Sequence, residues 1–180
     1  NNPTFTIDKD TGCSQVLSAG QSCIVYVSFS PTSAKTEDLD FKLSFDNSVS
    51  IVSSPNYHVS GVAVSKAELT LLPSPLDFGT VPEGGKSATK SFTLKNIGGD
   101  NAVAISFQAP PANSVFKVET QGCPASLAPQ AECSVSMTFN PVTASPNPYL
   151  QSVGFTYRSA ASAPASTPVS VSATGSGIAT

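Results

Sequence analysis

The feature that most constrains this sequence is an internal repeat at a fixed offset of 110 residues. Residues 12–31 match residues 122–141 with seven identities in twenty positions, and the match continues through Leu43 with Val153 and Phe45 with Phe155. The identical residues of the first copy are Gly12, Cys13, Leu17, Cys23, Val25, Phe29 and Pro31. Identities this dense at one offset are hard to obtain by chance, so both parts of the chain should share one fold.

Each copy contains one segment in which apolar side chains alternate strictly with other residues. Because neighbouring side chains on a β-strand point to opposite faces, a period of two places the alternating set on one face. The sequence therefore predicts a half-buried strand in each copy. The alternating residues are Cys23, Val25, Val27 and Phe29, then Cys133, Val135, Met137 and Phe139.

The cysteines also follow the repeat. Both copies place two cysteines ten residues apart, and no CxxC pair suggests a zinc knuckle or a thioredoxin-type site. We predict disulfide bonds Cys13–Cys23 and Cys123–Cys133, each tying a strand to the segment before it. Closing so short a loop contributes about 2–3 kcal/mol in the chain-entropy description. The alternative, four reduced cysteines in the core, is disfavoured by the repeated spacing.

The second copy, residues 66–180, carries every strand of a β-sandwich. Short alternating segments separated by turn residues are typical of immunoglobulin-like sandwiches, and no segment has a sustained helical period. We therefore predict an all-β fold of tandem immunoglobulin-like sandwiches with almost no helix. The predicted strands are 68–72, 75–79, 91–96, 102–107, 115–118, 132–139, 152–157 and 168–174.

The first copy, residues 1–65, is incomplete at its N-terminal side. It holds counterparts of only the last four strands, and counterparts of residues 69 to about 114 are missing. Four strands alone would expose an apolar sheet face and open edges. We expect this half-sandwich to be completed either by upstream residues or by another chain. Its predicted strands are 4–7, 22–29, 39–45 and 57–63.

These segments together resemble the bacterial ASH/Hydin-type immunoglobulin-like repeat, often found in proteins labelled choice-of-anchor D. The resemblance covers nearly the whole chain. It implies a sandwich similar to major-sperm-protein and pilus-chaperone domains, used as a spacer, a scaffold or a protein-binding module; it does not locate a site. The segments that carry it are 75–81 (PLDFGTV), 91–98 (SFTLKNIG), 116–123, 133–141 (CSVSMTFNP) and 175–177, with 20–31 and 59–61 in the first copy.

Composition limits the partners and the location. Charged residues are only 12% of the chain and the net charge is −3, so no basic patch is present to neutralise nucleic-acid phosphates. No apolar run approaches the roughly 18–20 residues of a membrane span, so no membrane insertion is predicted in this segment. Asn1 reads as the start of a mature or trimmed chain. We predict an extracellular or cell-surface location, with the periplasm as the alternative.

No set of residues predicts catalysis, and we expect no catalytic, metal or cofactor site. His58 is the single histidine, lacks the partners of a catalytic triad, and fits a half-exposed strand position. The acidic segment 8–12 resembles the start of a calcium loop without the later ligands, so a polar turn is predicted. Segment 37–40 fits a solvated strand entrance, and segment 160–168 a mobile connector or else a glycosylated or ligand-contacting tip. Asn96, Gly98 and Gly99 predict a turn with positive φ.

The leading hypothesis for function is a non-catalytic structural or scaffold module of a secreted or cell-surface bacterial protein. Its expected partners are proteins, either other repeats or neighbouring subunits. One alternative is a self-assembling subunit completed by strand donation, and another is an adhesin-type ligand-binding module. The absence of tryptophan and an aromatic content of 8% make a glycan the less favoured ligand, since sugar platforms favour exposed rings.

Overall fold

Every regular element of the computed structural model is a β-strand over the residues that it describes, which are 4–8, 13, 16–159 and 168–180. The prediction of an all-β fold without helix is therefore confirmed for these residues. The chain divides into two compact units, Asn1–Val64 and Ser65–Thr180, called unit 1 and unit 2 below. This division lies one residue from the predicted boundary. That unit 1 is half of a sandwich of the same kind stays a prediction.

The strands are numbered in chain order. Unit 1 contains β1 (Phe5–Asp8), β2 (Tyr26–Phe29), β3 (Thr36–Phe41), β4 (Ser44–Asp46), β5 (Ile51–Ser53) and β6 (Tyr57–Val62). Unit 2 contains β7 (Leu69–Leu72), β8 (Leu76–Pro82), β9 (Lys90–Asn96), β10 (Ala102–Gln108), β11 (Phe116–Glu119), β12 (Ser126–Leu127), β13 (Glu132–Phe139), β14 (Tyr149–Ser159) and β15 (Val169–Ile178).

Unit 2 is built from two sheets. One has the order β11-β13-β9-β7 and the other the order β12-β10-β14-β15-β8. All neighbouring strands are antiparallel except β8 and β15, which pair in parallel at one edge of the larger sheet. Strands β9 and β10 follow each other in the chain but lie in different sheets, so together they form an arch that joins the two sheets.

A single apolar core lies in unit 2, and both sheets contribute to it. Phe155 on β14 packs against Phe107 and Phe92, with ring centroids 5.4 and 6.2 Å apart. Burying such a side chain contributes about 1.5–3 kcal/mol, so this cluster carries much of the stability of unit 2. The core side chains that are at most 1% exposed include Phe92, Leu94, Val135, Met137, Phe139, Val153, Phe155 and Val171.

The two units share a close approach between a glycine and a phenyl ring. A Cβ atom at Gly175 would lie 2.7 Å from the ring of Phe139, and a Cβ atom at Gly61 would lie 2.8 Å from the ring of Phe29. Only glycine fits under each ring, because real Cβ atoms do not approach other atoms so closely. The phenylalanines are related by the 110-residue offset, so the packing is repeated as well as the sequence.

The described residues of unit 1 form three two-stranded antiparallel ladders, β1–β2, β3–β6 and β4–β5. The first ladder repeats the pairing of β11 with β13: Phe5 faces Phe29 as Phe116 faces Phe139. The second repeats the pairing of β14 with β15, because Gly61 and Gly175 both lie on the last strand of their unit. The described part of unit 1 therefore repeats one strand pair from each sheet of unit 2.

Two predicted strands of unit 1 differ from the structure. The strand predicted over 22–29 begins only at Tyr26, and the strand predicted over 39–45 is divided into β3 and β4. The division is made by a hairpin of β4 and β5 that sequence analysis missed; its turn is held by Asn47, whose side-chain oxygen accepts two backbone hydrogen bonds. In unit 2 the matching strands are continuous because β9 and β10 pair along them, and the described part of unit 1 has no counterpart of these neighbours.

Candidate functional site

The cysteines of each repeat lie together in the structure. Cys13 and Cys23 have Cα atoms 5.3 Å apart, Cys123 and Cys133 have Cα atoms 5.1 Å apart, and both sulfur pairs lie at bonding distance. Cys133 is buried on β13 with Leu94 of β9 as its ladder partner. The pair in unit 2 therefore joins a core strand to the loop that precedes it, whereas in unit 1 Cys23 lies three residues ahead of β2. Disulfide formation in the isolated protein stays a prediction, to be checked by non-reducing peptide mapping.

The loop closed by each cysteine pair turns through a left-handed residue at the same repeat position. Gly20 has a φ of 82° and Gln130, 110 residues later, has a φ of 64°. Glycine adopts this conformation without steric cost, whereas a residue with a Cβ atom is strained there by about 1–2 kcal/mol. The backbone N–H of Gln130 donates to the carbonyl of Asn96 at 2.8 Å, which holds the strained residue in place.

Asn96 is a fully buried polar residue at the end of β9. Its Oδ1 accepts hydrogen bonds from the backbone N–H groups of Gly98 at 3.0 Å and Glu68 at 3.2 Å. Its Nδ2 donates to the carbonyls of Asp100 at 2.8 Å and Leu127 at 3.0 Å. Because backbone groups take up both donors and both acceptor positions of this side-chain amide, Asn96 organises the turn and has no hydrogen-bonding group left for a ligand.

The predicted positive φ at Asn96, Gly98 and Gly99 is wrong. A Cβ atom at Gly98 would lie 2.1 Å from the carbonyl oxygen of Lys66, and one at Gly99 would lie 2.8 Å from the hydroxyl of Ser65. These glycines are required by close backbone approach and not by a left-handed turn. Among the described glycines, positive φ occurs at Gly20, Gly79 and Gly84.

His58 lies on an exposed strand face beside two carboxylates. Its Nδ1 is 2.9 Å from Oδ1 of Asp40, its direct partner across β3 and β6, and its Nε2 is 3.7 Å from Oδ1 of Asp38. The hydrogen bond to Asp40, joined by the negative charges of Asp40 and Asp38, raises the pKa of His58 above its usual 6.5. The imidazole is 60% exposed, so this cluster is a surface ion pair that strengthens on protonation.

The prediction that segment 37–40 is solvated throughout needs one correction. Glu37 is buried, forms an ion pair with Lys35 and accepts a hydrogen bond from the hydroxyl of Thr4. Its side chain shares a strand face with Leu39 and Phe41, and that shared parity was the available sequence signal. Asp38 and Asp40 have the opposite parity and are exposed, as predicted.

Two further segments considered in the sequence fall largely outside the described residues. Positions 9–12 of the possible calcium loop and positions 160–167 of the long connector are among them. Within the part of the chain that the structure describes, no group of three or more His, Cys, Asp or Glu side chains is arranged to hold a metal ion. Over the same residues, no helix is long and apolar enough to cross a membrane.

Over the described residues, each unit has an open cleft that is a candidate binding surface. The cleft in unit 2 has a volume of about 270 Å³ and lies between Ser114 and Phe116 on one side and Tyr149 and Leu150 on the other. The cleft in unit 1 has a volume of about 830 Å³ and is lined by Leu17 and Phe45 among mostly small polar residues. Neither brings convergent charged groups together, so neither has the character of an active site.

Comparison with known families decides what this sandwich is. The model of the HYDIN/CFA65/VesB-like, Ig-like domain matches residues 67–170. The chain belongs to this family. The predicted family resemblance and the immunoglobulin-like character of the fold are therefore confirmed, whereas the number of repeats stays a prediction. Membership of the HYDIN/CFA65/VesB-like family indicates a protein-interaction module.

Solved structures with a similar backbone come from diverse sources. The ASH/PapD-like domain 7 of human CEP192 is 18% identical, with 64% of this chain and 88% of that chain covered and a TM-score of 0.49. The VesB protease of Vibrio cholerae is 17% identical over 62% of this chain and only 32% of that chain, with a TM-score of 0.49. A protein of unknown function from Porphyromonas gingivalis W83 is 8% identical, with 97% and 80% covered and a TM-score of 0.43.

These similarities carry no argument about activity. The chain spans about a third of VesB, so the protease activity in that protein's name is not transferred to this chain. A search of the curated proteins found no match.

Proposed function

We propose that this chain is a non-catalytic structural module of a secreted or cell-surface protein, in which it acts as a spacer or scaffold that bears tension between other parts. Membership of a family of Ig-like domains supports a role in contacts between proteins. The feature that carries the proposal is the parallel pairing of the first and last strands of the larger sheet of unit 2.

The direction of this pairing determines how unit 2 resists force. Strand β8 pairs in parallel with β15, from Leu76 opposite Ala173 to Pro82 opposite Ile178. The described chain enters unit 2 through β7, which pairs with β9 in the smaller sheet, and then forms β8. A pull applied just ahead of β8 and just after β15 slides these two strands past each other along their axes. The load then falls on all the ladder hydrogen bonds together, whereas an antiparallel hairpin opened at its end loses them one at a time.

The cysteine pairs support both the mechanical role and the location. A bond between Cys123 and Cys133 would prevent the intervening loop from extending under load, and a bond between Cys13 and Cys23 would do the same in unit 1. Such bonds persist in oxidising compartments, which favours the extracellular space, the cell surface or the periplasm. The low charged fraction of 12% is in keeping with an extracellular β-protein.

Single-molecule force spectroscopy in two pulling directions tests the proposal. In the first, handles are attached just ahead of β8 and just after β15. In the second, they are attached by click chemistry at Leu150 and Thr174, which face each other across the antiparallel pair β14–β15. We expect unit 2 to unfold in one step at a clearly higher force in the first direction. Equal forces in the two directions would contradict a tension-bearing role.

Reduction of the protein tests whether a Cys123–Cys133 bond limits the extension of unit 2 under load. The Cys123–Cys133 loop spans ten residues. Breaking the bond should lengthen the unfolding step of unit 2 by roughly 30 Å, at about 3.3–3.6 Å per released residue. An unchanged step length would show that the bond was absent from the molecules that were pulled.

A further inference from the structure

Positions related by the repeat differ sharply in burial between the two units. Leu127 is 3% exposed in unit 2, whereas its counterpart Leu17 is 45% exposed in unit 1. Phe155 is 1% exposed, whereas its counterpart Phe45 is 55% exposed. The same side-chain types at the same repeat positions are therefore core residues in one unit and surface residues in the other. Only the neighbours of these positions can explain the difference.

Unit 2 identifies neighbours that the described part of unit 1 lacks. Phe155 packs against Phe92 of β9 and Phe107 of β10, and Leu127 pairs with Ala102 at the start of β10. These three neighbours belong to the arch of β9 and β10. The described residues of unit 1 contain no strand at the corresponding places.

The strand pairing differs between the two units at the same places as the side-chain burial. In unit 2, β13 pairs with β11 on one side and with β9 on the other, and β14 pairs with β15 on one side and with β10 on the other. In the described part of unit 1, the ladder partners are β1 for β2, β6 for β3 and β5 for β4. Over the described residues, β2 and β4 therefore each have a ladder on one side only, and a strand edge without a neighbouring strand is a template for an added strand.

The cleft of about 830 Å³ in unit 1 lies where the arch would enter, because Leu17 and Phe45 both line it. Leu43 follows the same rule, because it is 38% exposed whereas its counterpart Val153 is fully buried. Exposed side chains at core positions of the repeat, next to strand edges, match one chemical class of partner, a polypeptide that adds β-strands.

We propose that unit 1 binds a β-arch with the side-chain pattern of β9 and β10, supplied by a polypeptide segment that is not itself folded into a sandwich. One strand pairs antiparallel with β2, and the next pairs antiparallel with β4, whose counterpart on β14 pairs with β10. The apolar side chains of the arch fill the cleft over Leu17 and Phe45. This inference is independent of the proposed mechanical role, because it rests on unit 1 and that role rests on unit 2.

The arch of a second copy of this chain is a poorer occupant. Phe92 and Leu94 are 1% and 0% exposed in unit 2, so a copy that lent its arch would open its own core to cover another. A free arch of the same pattern carries no such penalty. The proposal therefore commits to an arch that is not already folded into unit 2.

A tethered probe tests the proposal on the full chain. A second copy of residues 66–108 is fused ahead of Asn1 through a flexible Gly/Ser linker, and hydrogen–deuterium exchange is followed by mass spectrometry. We expect exchange to slow by about tenfold or more over β2 and β4, with unit 2 unchanged. The control is the same fusion with Phe92→Asp and Phe107→Asp in the added copy only, which should remove the protection.

A change on the acceptor side separates docking from a general effect of the fusion. Phe45→Asp alters an exposed residue, so the chain should fold normally and yet fail to protect β2 in the fused protein. Val142→Asp, at a position 74% exposed in unit 2, is the matched charge control and should keep the protection. Equal exchange in the fusion and its Asp control would overturn the proposal.

Light scattering of the unfused chain over a range of concentrations completes the test. A monomer near 18.4 kDa agrees with the proposal, because each chain then keeps its own arch in unit 2. A dimer in which β9 and β10 lose their exchange protection would overturn the proposal, because the cleft of unit 1 would then be filled by the arch of a second copy.

Discussion

The most direct test of the burial argument compares two phenylalanines that occupy the same repeat position. Phe155→Ala removes a ring that is 1% exposed and packed against two other rings, 5.4 and 6.2 Å away. Removing such a ring costs about 3–5 kcal/mol, made up of lost transfer free energy and a residual cavity. Since domains are stable by only about 5–15 kcal/mol, this single change should remove a large part of the stability of unit 2.

Phe45→Ala should behave as a surface substitution. Its ring is 55% exposed, so the expected change in unfolding free energy is below about 1 kcal/mol. Urea denaturation is followed by hydrogen exchange on peptides from each unit. In each variant this gives the change in unfolding free energy of the substituted unit, with the other unit as an internal reference. A loss at Phe45 as large as the loss at Phe155 would refute the reasoning, because the cleft in unit 1 would then be closed in solution.

Three other substitutions test separate features. Gln130→Gly should stabilise unit 2 by about 1 kcal/mol in thermal unfolding, because it removes a Cβ atom from a left-handed residue, and a loss of stability would contradict this. Since the pKa of His58 is raised in the folded state, its contribution to the stability of unit 1 should be fully present below pH 6.5 and lost as the pH rises through the folded pKa. Asp40→Asn should flatten this dependence in a pH series of unfolding midpoints, and an unchanged slope would exclude the ion pair as its cause. Replacing Cys123 and Cys133 together by serine should cost about 2–3 kcal/mol in denaturant unfolding, and equal stability would show that the bond does not form.

The alternation and the repeat were enough to predict the strands that form the centre of each unit. Val135, Met137 and Phe139 are fully buried, as a period of two requires, and their counterparts in unit 1 lie on one face at intermediate exposure. The cysteine pairs lie at bonding distance where the repeated spacing placed them. Local patterns of this kind survive folding because they report which face of a strand is buried, whatever covers it.

Features that depend on what lies across the sheet could not be predicted in the same way. The role of Asn96 comes from backbone groups up to 31 residues away in the chain, and nothing near it in sequence signals that. Gly98 is required by the backbone of Lys66, which the turn rules for Gly-Gly do not anticipate. The acidic segment 37–40 predicts a solvated position for Glu37, although its parity with Leu39 indicates the inner face.

The comparison of the two units separates the contribution of a residue from the contribution of its neighbours. Phe45 and Phe155 are the same residue type at the same repeat position, so we attribute the predicted difference in their cost on truncation to the arch of β9 and β10. If the tethered arch docks on unit 1, Phe45→Ala should change from a near-neutral substitution to one that costs several kcal/mol in the fused protein, within the range of about 3–5 kcal/mol for a buried ring. The added cost should be absent from the fusion whose arch carries Phe92→Asp and Phe107→Asp. A loss of unfolding free energy that appears in both fusions would arise from the linker or the added mass. A loss confined to the fusion with the intact arch would show that strand addition turns the surface of unit 1 into a core.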